Sequence, residues 1–134
     1  MAERTGRPAT SDQLAACLLT NAVVVRRAMA GLRNAGLVRS AAGHGGGWIL
    51  IREPKAITLA DVYVALGESI LSGAGKAESP GCLVEEAVLR LMDDFRAQAE
   101  GLLVRRLAEK TLADVTGEVK RLMKKQKHRT VHAA

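Results

Sequence analysis

The residues of this sequence that could bind or react with another molecule lie in three places. Arg26 and Arg27 stand side by side in a segment with helical spacing, and arginine pairs with guanine edges and with phosphates. The run GHGGG at 43–47 lacks bulky side chains, so its backbone could approach phosphates or the minor groove of DNA. Cys17 and Cys82 are the two thiols of the chain. These residue types indicate nucleic-acid binding and, as a second possibility, thiol oxidation.

The sequence has no pattern typical of an enzyme or of a metal site. Glu85-Glu86 and Asp93-Asp94 are neighbours in sequence and therefore point to different faces of a helix, which suits a solvated surface. His128 and His132 have metal-ligand spacing but lie in a basic tail, where solvation is expected. We expect no catalytic residue, no metal site and no cofactor.

The charge of the chain is divided into three parts. Residues 1–55 have a net charge of +5, residues 56–119 of −5, and residues 120–134 of +6. A basic N-terminal part followed by an acidic middle indicates that the N-terminal part meets a polyanion. The chain has one Trp, one Tyr and one Phe, too few for a surface that stacks single-stranded bases. The expected partner is double-stranded promoter DNA.

Composition bounds the class of the protein. With 134 residues, of which 48% are hydrophobic, the chain is suited to one globular domain with an aliphatic core. No stretch approaches the roughly 20 apolar residues of a membrane span, and the first ten residues lack the apolar segment of a signal peptide. We therefore expect a cytoplasmic protein with no membrane partner.

Four elements must position the arginines and the glycine run. The first ten residues are predicted to be a loop. Capping residues from Thr10 then open a short helix, and Asn21 is the predicted N-cap of a second helix that ends at Gly36. Two β-prone runs around the glycines predict a hairpin. The apolar residues expected to face inward are Leu14, Ala15, Leu18 and Leu19 in the first helix and Val25, Met29 and Leu32 in the second.

The second half of the chain is predicted to be helical. Thr58-Leu59-Ala60-Asp61 is a capping box that opens a short helix. After a mobile loop, Ser79 as N-cap and Pro80 as first residue predict a long helix to about Ala108. Thr111-Leu112-Ala113-Asp114 repeats the capping signal before a last helix, which we expect to fray beyond Lys124.

A short helix, a tight turn, a second helix and a glycine-tipped hairpin form a winged helix-turn-helix, whose second helix fits the major groove of DNA. The fold class is therefore mainly α with a small β-wing, a winged helix-turn-helix head plus a long dimerisation helix. The candidate DNA-binding residues are Asn21, Val23, Val24, Arg26, Arg27, Arg39, His44, Gly45 and Gly46.

Three blocks resemble a known family: NAVVVRRAMAGLRNAGLVRS, GHGGGWIL and ITLADVYVALGE, in this order and at this spacing. They are similar to the winged-helix bacterial transcription regulators that include IscR, NsrR and CymR, the Rrf-two family. The resemblance implies a homodimer paired through the long helices on a dyad-symmetric operator. Independently, the long helix has an apolar stripe that needs a partner. The residues of the expected dimer interface are Val84, Val88, Leu91, Phe95 and Leu102.

The chain departs from the family pattern in three ways. Relatives have a further helix before the position of Thr10, so either the start of this chain is misassigned or a covering helix is missing. In the second case we expect Leu14, Leu18, Val25 and Met29 to lie open and stability to fall. The wing has Ala42-Gly43-His44 where relatives often have Arg-Gly-Pro. Of the three cysteines that hold an iron–sulfur cluster in some relatives, this chain has the equivalent of the last one, Cys82, so we expect no cluster.

Cys82 would lie in the first turn of the long helix, where free N–H groups and the helix dipole stabilise a thiolate. Cys17 lies off the apolar face of the first helix. One hypothesis is an oxidative bond between these two cysteines, within or across subunits, that moves the heads; the alternative is two ordinary cysteines, since cysteine is commonly a small buried hydrophobe.

We therefore divide the chain into a DNA-binding head (1–66), a flexible loop (67–79), dimerisation helices (80–124) and a basic tail (125–134). The expected function is that of a dimeric DNA-binding repressor, with a possible thiol response and no iron–sulfur cluster. The alternative is a truncated interaction module that dimerises, or mixes with a relative, without reading DNA. Nonspecific binding through the tail would instead show steep salt dependence.

Overall fold

The computed structural model describes residues 7–43, 46–71, 78–79 and 81–132. Within these ranges the chain forms five α-helices, a two-stranded antiparallel sheet and a 3₁₀ turn, so the predicted mainly α class with a small β-wing is confirmed. In chain order the elements are α1 (Ser11–Leu18), α2 (Ala22–Asn34), β1 (Val38–Ala41), β2 (Gly47–Leu50), the 3₁₀ turn (Pro54–Ala56), α3 (Leu59–Leu66), α4 (Leu83–Leu107) and α5 (Leu112–His132).

The first two helices form a helix-turn-helix, and each begins at its predicted cap. The Thr10 hydroxyl accepts a hydrogen bond from the Gln13 N–H at 3.1 Å, and the Gln13 side chain accepts one from the Thr10 N–H at 3.0 Å. The Asn21 side chain accepts from the Val24 N–H at 3.0 Å. The chain bends by 110° between α1 and α2, which is within the range of DNA-binding helix-turn-helix motifs.

The core of the head lies between this helix pair and the hairpin. Val25 and Met29 are only 4% and 6% exposed, because Trp48 and Val38 pack over them. The expectation that they lie open is therefore wrong. Ala15 completes this buried cluster, and three partly buried side chains pack against the cluster: Leu14, Leu32 and Leu50.

Leu18 and Leu19 do not join this core, which corrects their predicted inward orientation. They are 67% and 94% exposed. Leu18 is the last residue of α1, and Leu19 has the left-handed backbone (φ 53°) with which the chain leaves the helix. The turn therefore directs both side chains away from the core.

The hairpin is held to the N-terminal segment as well as to itself. Ser40 pairs with Trp48 in the sheet. On its other side, Trp48 exchanges backbone hydrogen bonds of 3.0 and 2.8 Å with Ala9, and its indole N–H donates to the Ser11 hydroxyl at 3.0 Å. The described part of the expected N-terminal loop therefore includes a strand-like pairing with β2, close to the end of the hairpin that carries the glycine run.

The two capping signals at 58–61 and 111–114 lie side by side. Thr58 and Thr111 form an antiparallel bridge. The Leu59 N–H donates to the Lys110 carbonyl and the Leu112 N–H to the Ile57 carbonyl, both at 2.9 Å. The start of α5 is thus fastened to the start of α3, and Ile57 beneath this bridge has no exposed surface.

The long helix α4 begins later than predicted. Its N-cap is Cys82, and Gly81 before it has φ 90°, a left-handed conformation that a helix cannot continue through. The Glu85 carboxylate reaches back across this break and accepts from the N–H groups of Glu78 and Ser79 at 2.6 and 2.9 Å. Pro80, the predicted first residue, lies outside the described residues.

The last helix, α5, continues through His132, so the predicted fraying beyond Lys124 is wrong for the described residues. All side chains from Lys120 to His132 are exposed. Among the described residues no single helix has the length and hydropathy to cross a membrane; α1 and α2 would do so only as a pair, and they are strongly bent.

Candidate nucleic-acid interface

The outward face of α2 is set by the face that the helix buries. Because successive helical residues are about 100° apart, burial of Val25 and Met29 directs Val23 and Arg27 to the opposite side. Val23 is 63% and Val24 is 51% exposed. The structure therefore places these predicted residues on the accessible surface of one helix.

Arg26 and Arg27 are exposed, and their guanidinium groups have no ion pair or hydrogen bond with any residue that the structure describes. Helix α2 carries no acidic residue. Two unpaired guanidinium groups on a helix without a carboxylate can take an anionic or hydrogen-bond-accepting partner without first breaking a contact.

Asn21 has a role that the sequence also predicts. Its side-chain carbonyl caps α2 by accepting from the Val24 N–H. Its side-chain N–H groups remain able to donate to an outside partner. Its exposed position just before α2 keeps it beside Val23.

The wing is shaped by glycine at positions where other residues do not fit. A Cβ on Gly47 would lie 2.6 Å from the Ala9 carbonyl oxygen, and its φ is 151°. A Cβ on Gly46 would overlap the Ala41 carbonyl oxygen. Arg39 projects from β1 as an exposed side chain without an ion pair among the described residues. The wing-tip candidates His44 and Gly45 lie outside the described residues.

The predicted dimer stripe on α4 is open in the single chain. No residue of this 25-residue helix is buried. The five stripe residues are all more than half exposed: Val84, Val88, Leu91, Phe95 and Leu102. The helix is about 37 Å long, and its apolar stripe faces solvent in the single chain.

The two cysteines are both exposed free thiols. Cys17 lies on α1 of the head, and Cys82 is the N-cap of α4, one position before the first turn in which the sequence placed it. Within the described residues no group of three or more His, Cys, Asp or Glu side chains has the arrangement of a metal site.

A polar cluster that sequence reasoning missed joins the head to α4. The Tyr63 hydroxyl donates to Glu100 at 2.5 Å and the Ser69 hydroxyl donates to the same carboxylate at 2.7 Å. These two bonds lower the pKa of Glu100. The Tyr63 hydroxyl also accepts from the Ile70 N–H at 3.0 Å. The start of the predicted mobile loop is therefore tied to both α3 and α4; no local motif marks contacts between residues so far apart in sequence.

Comparison with protein families gives one match over most of the chain. Residues 1–118 match the family described as "Rrf2: Iron-dependent Transcriptional regulator". A curated relative, "Putative HTH-type transcriptional regulator YwnA" of Bacillus subtilis (strain 168), is 31% identical over 107 residues, which is 79% of this chain and 80% of that protein.

Solved structures of similar proteins share the fold. CymR (YrzC), titled the global cysteine regulator of B. subtilis, is 28% identical with a TM-score of 0.58, over 87% of this chain and 84% of that one. T. potens IscR is 27% identical with a TM-score of 0.59, over 88% of this chain and 76% of that one.

Proposed function

The chain belongs to the Rrf2 family of transcriptional regulators, and from this membership we propose that it is a homodimeric repressor that binds a two-fold symmetric operator in double-stranded promoter DNA. In this proposal α2 lies in the major groove, the hairpin lies along the flanking backbone, and paired α4 helices set the distance between the two heads. The relatives are transcriptional regulators and not enzymes, and we propose a cytoplasmic regulator without catalytic activity.

The observation that carries the proposal is the outward face of α2. It presents two unpaired arginines beside a glycine-shaped wing, on a head with a net positive charge. Arg26 and Arg27 are roughly 100° apart around the helix, so one guanidinium can reach a base edge while the other pairs with a phosphate. Further contacts to the sugar-phosphate backbone of the DNA would come from Arg39, Asn21 and the wing residues 44–46.

DNA binding is tested by fluorescence anisotropy on a labelled duplex from upstream of the gene, with excess scrambled duplex as competitor. We expect binding that survives the competitor. The double variant Arg26→Ala/Arg27→Ala is expected to lose at least tenfold in affinity, since one good arginine contact is worth about 1–3 kcal/mol.

Arg106→Ala is the matched control, because Arg106 is an exposed arginine near the end of α4 whose one ion pair within the described ranges is with Glu109, at 3.5 Å. It should change the affinity less than twofold. Binding lost to the competitor, or equal binding by the double variant, would favour the interaction module or tail-driven nonspecific binding instead. These two are separated by the salt dependence, which is steep only for binding through the tail.

The dimer is supported by the open stripe on α4, whose side chains would otherwise stay in contact with water. Sedimentation equilibrium should give twice the mass of the chain. Phe95→Asp places a charge within the stripe and should yield monomers, whereas Val131→Asp makes the same type of change at an exposed position near the end of α5 and should leave the dimer intact. A monomeric wild type would contradict the proposal.

Repression is the expected sign, because a dimer seated on promoter DNA blocks access to it. Deleting the gene should raise expression of a reporter placed behind the bound promoter, and supplying the gene in trans should restore the low level. A fall in reporter expression on deletion would identify an activator.

A thiol response is supported by the exposure of both cysteines and by the similarity to CymR, the global cysteine regulator of B. subtilis. In this proposal hydrogen peroxide accepts two protons and two electrons from the thiols of Cys17 and Cys82, giving one disulfide and two molecules of water. A bond across subunits would appear as a covalent dimer on a non-reducing gel. A bond within a subunit would leave a monomer whose mass, measured by mass spectrometry, is lower by two hydrogen atoms. Cys82→Ser should abolish the bond and any change in DNA binding on oxidation; an unchanged response would exclude Cys82.

A further inference from the structure

The exposed side of the first turn of α2 has no side chain that is free to accept a hydrogen bond. It consists of Ala22, Val23 and Val24, and the carbonyl of the preceding Asn21 already serves as the helix cap. Val23 and Val24 are nevertheless more than half exposed. The N-terminal residues of a helix-turn-helix recognition helix contact base edges, so two exposed valines at this place call for a physical explanation.

The position of Val23 relative to the arginines supplies one. At about 100° per residue, Arg26 lies roughly 60° to one side of Val23 and Arg27 roughly 40° to the other, each one turn further along the helix. Val23 is therefore centred between them on the face opposite the buried Val25. Any orientation of α2 that brings either guanidinium to a base edge also brings the Val23 methyl groups close to the bases.

Only one base presents an apolar group in the major groove. The C5-methyl of thymine is available there, while the other bases present hydrogen-bond donors and acceptors that valine cannot satisfy. We propose that Val23 recognises a thymine methyl in each operator half-site, next to the position contacted by Arg26 or Arg27, and that Val24 forms the edge of the same apolar contact. This inference rests on the proposed function, because it requires α2 to lie in the groove.

The surroundings of Val23 favour DNA over an apolar protein surface as the occupant. Two unpaired arginines flank it, and α2 contains no acidic residue that would repel phosphates. An apolar protein partner would have to cover both guanidinium groups and strip them of water, which is costly without an anionic partner. The DNA groove provides a methyl group with acceptors and phosphates on either side.

The effect of one methyl group sets the expected size of the signal. Removing a methyl-sized apolar group from a buried contact corresponds to about a fourfold change in affinity. An operator is first obtained by selecting bound duplexes from a random library with the wild-type homodimer. Each thymine of that duplex is then replaced in turn by deoxyuridine, which removes the C5-methyl and leaves the base-pairing groups unchanged.

We expect one thymine per half-site whose replacement weakens wild-type binding about fourfold, and we expect that loss to shrink to less than 1.5-fold in Val23→Ala, roughly as pairwise coupling requires. Val64→Ala removes the same atoms from an exposed valine of α3 and should retain the fourfold loss. Melting temperatures of both variants establish that they are folded.

The outcomes separate this inference from the function on which it rests. If specific binding is found but no thymine methyl affects it, or if the loss persists in Val23→Ala, thymine recognition by Val23 is wrong while DNA binding stands. If selection enriches no sequence, the proposed function fails and the inference fails with it.

Discussion

Truncation of Ile57 tests whether its buried side chain fastens α5 to the head. It follows the 3₁₀ turn, its carbonyl accepts from Leu112 of α5, and its side chain has no exposed surface. Ile57 also helps to line a partly open apolar cavity of about 240 Å³, together with Leu32, Val62 and Leu112. Replacing it with alanine removes atoms from the point where head and α5 meet.

The magnitude follows from burial and from that cavity. Truncating a fully buried isoleucine to alanine costs about 2–5 kcal/mol of unfolding free energy. The partly open cavity beside Ile57 gives its neighbours room to relax after truncation, which places the cost in the lower part of this range. We expect Ile57→Ala to lower the free energy of unfolding by about 2–3 kcal/mol, a large part of the roughly 5–15 kcal/mol that stabilises a domain, and Ile57→Val to lower it by about 1 kcal/mol.

Urea unfolding followed by circular dichroism at 222 nm measures this change. The proteins are compared at one chain concentration, because dimerisation contributes to apparent stability. Ile70→Ala is the matched control: Ile70 is 73% exposed and only its backbone is hydrogen-bonded, so its truncation should cost less than about 0.5 kcal/mol. If Ile57→Ala costs no more than this control, the inference that Ile57 fastens α5 to the head is wrong.

Three further outcomes are expected. Gly47→Ala should lower the melting temperature and weaken DNA binding, because its Cβ would lie 2.6 Å from the Ala9 carbonyl oxygen; a normal melting temperature would show that this strand is not fixed. Asn21→Ala should cost about 1 kcal/mol in urea unfolding through loss of the α2 cap, and Asn21→Ser should restore most of it. The pKa values of Asp61 and Asp114 are lowered by hydrogen bonds from the backbone N–H groups that they cap. Their contribution is therefore present above the ordinary aspartate pKa of 3.8 and is lost as pH falls through the lower folded values. An acid titration of stability should be shallower in Asp61→Asn/Asp114→Asn, and an unchanged slope would contradict the assignment.

Local chemistry explains most of what the sequence predicts correctly. Thr10, Asn21 and Thr58 cap their helices with the expected backbone partners, since these contacts span only three residues. The burial of Val25 and Met29 follows from helical periodicity. The outward position of Arg26 and Arg27, and hence the candidate interface, follows from the same periodicity.

Contacts between distant residues explain most of what the sequence does not predict. The capping signals at Thr58 and Thr111 look identical in sequence, yet nothing local indicates that they pair. Trp48 reaches back to Ala9 for the same reason. The start of α4 depends on the left-handed backbone of Gly81, while Ser79 and Pro80 form an equally plausible local start signal. Tertiary context decides between such alternatives.

The bridge between Thr58 and Thr111 also has a consequence during translation. The ribosome releases the head first, and folding during synthesis proceeds from the N-terminus. Until the start of α5 has emerged, Ile57 lacks the chain that covers it and the Leu59 N–H lacks its carbonyl partner. A nascent head is thus incompletely folded, and chaperones and proteases act on incompletely folded chains. A chain that ends before α5 should therefore have a less stable head than the full chain.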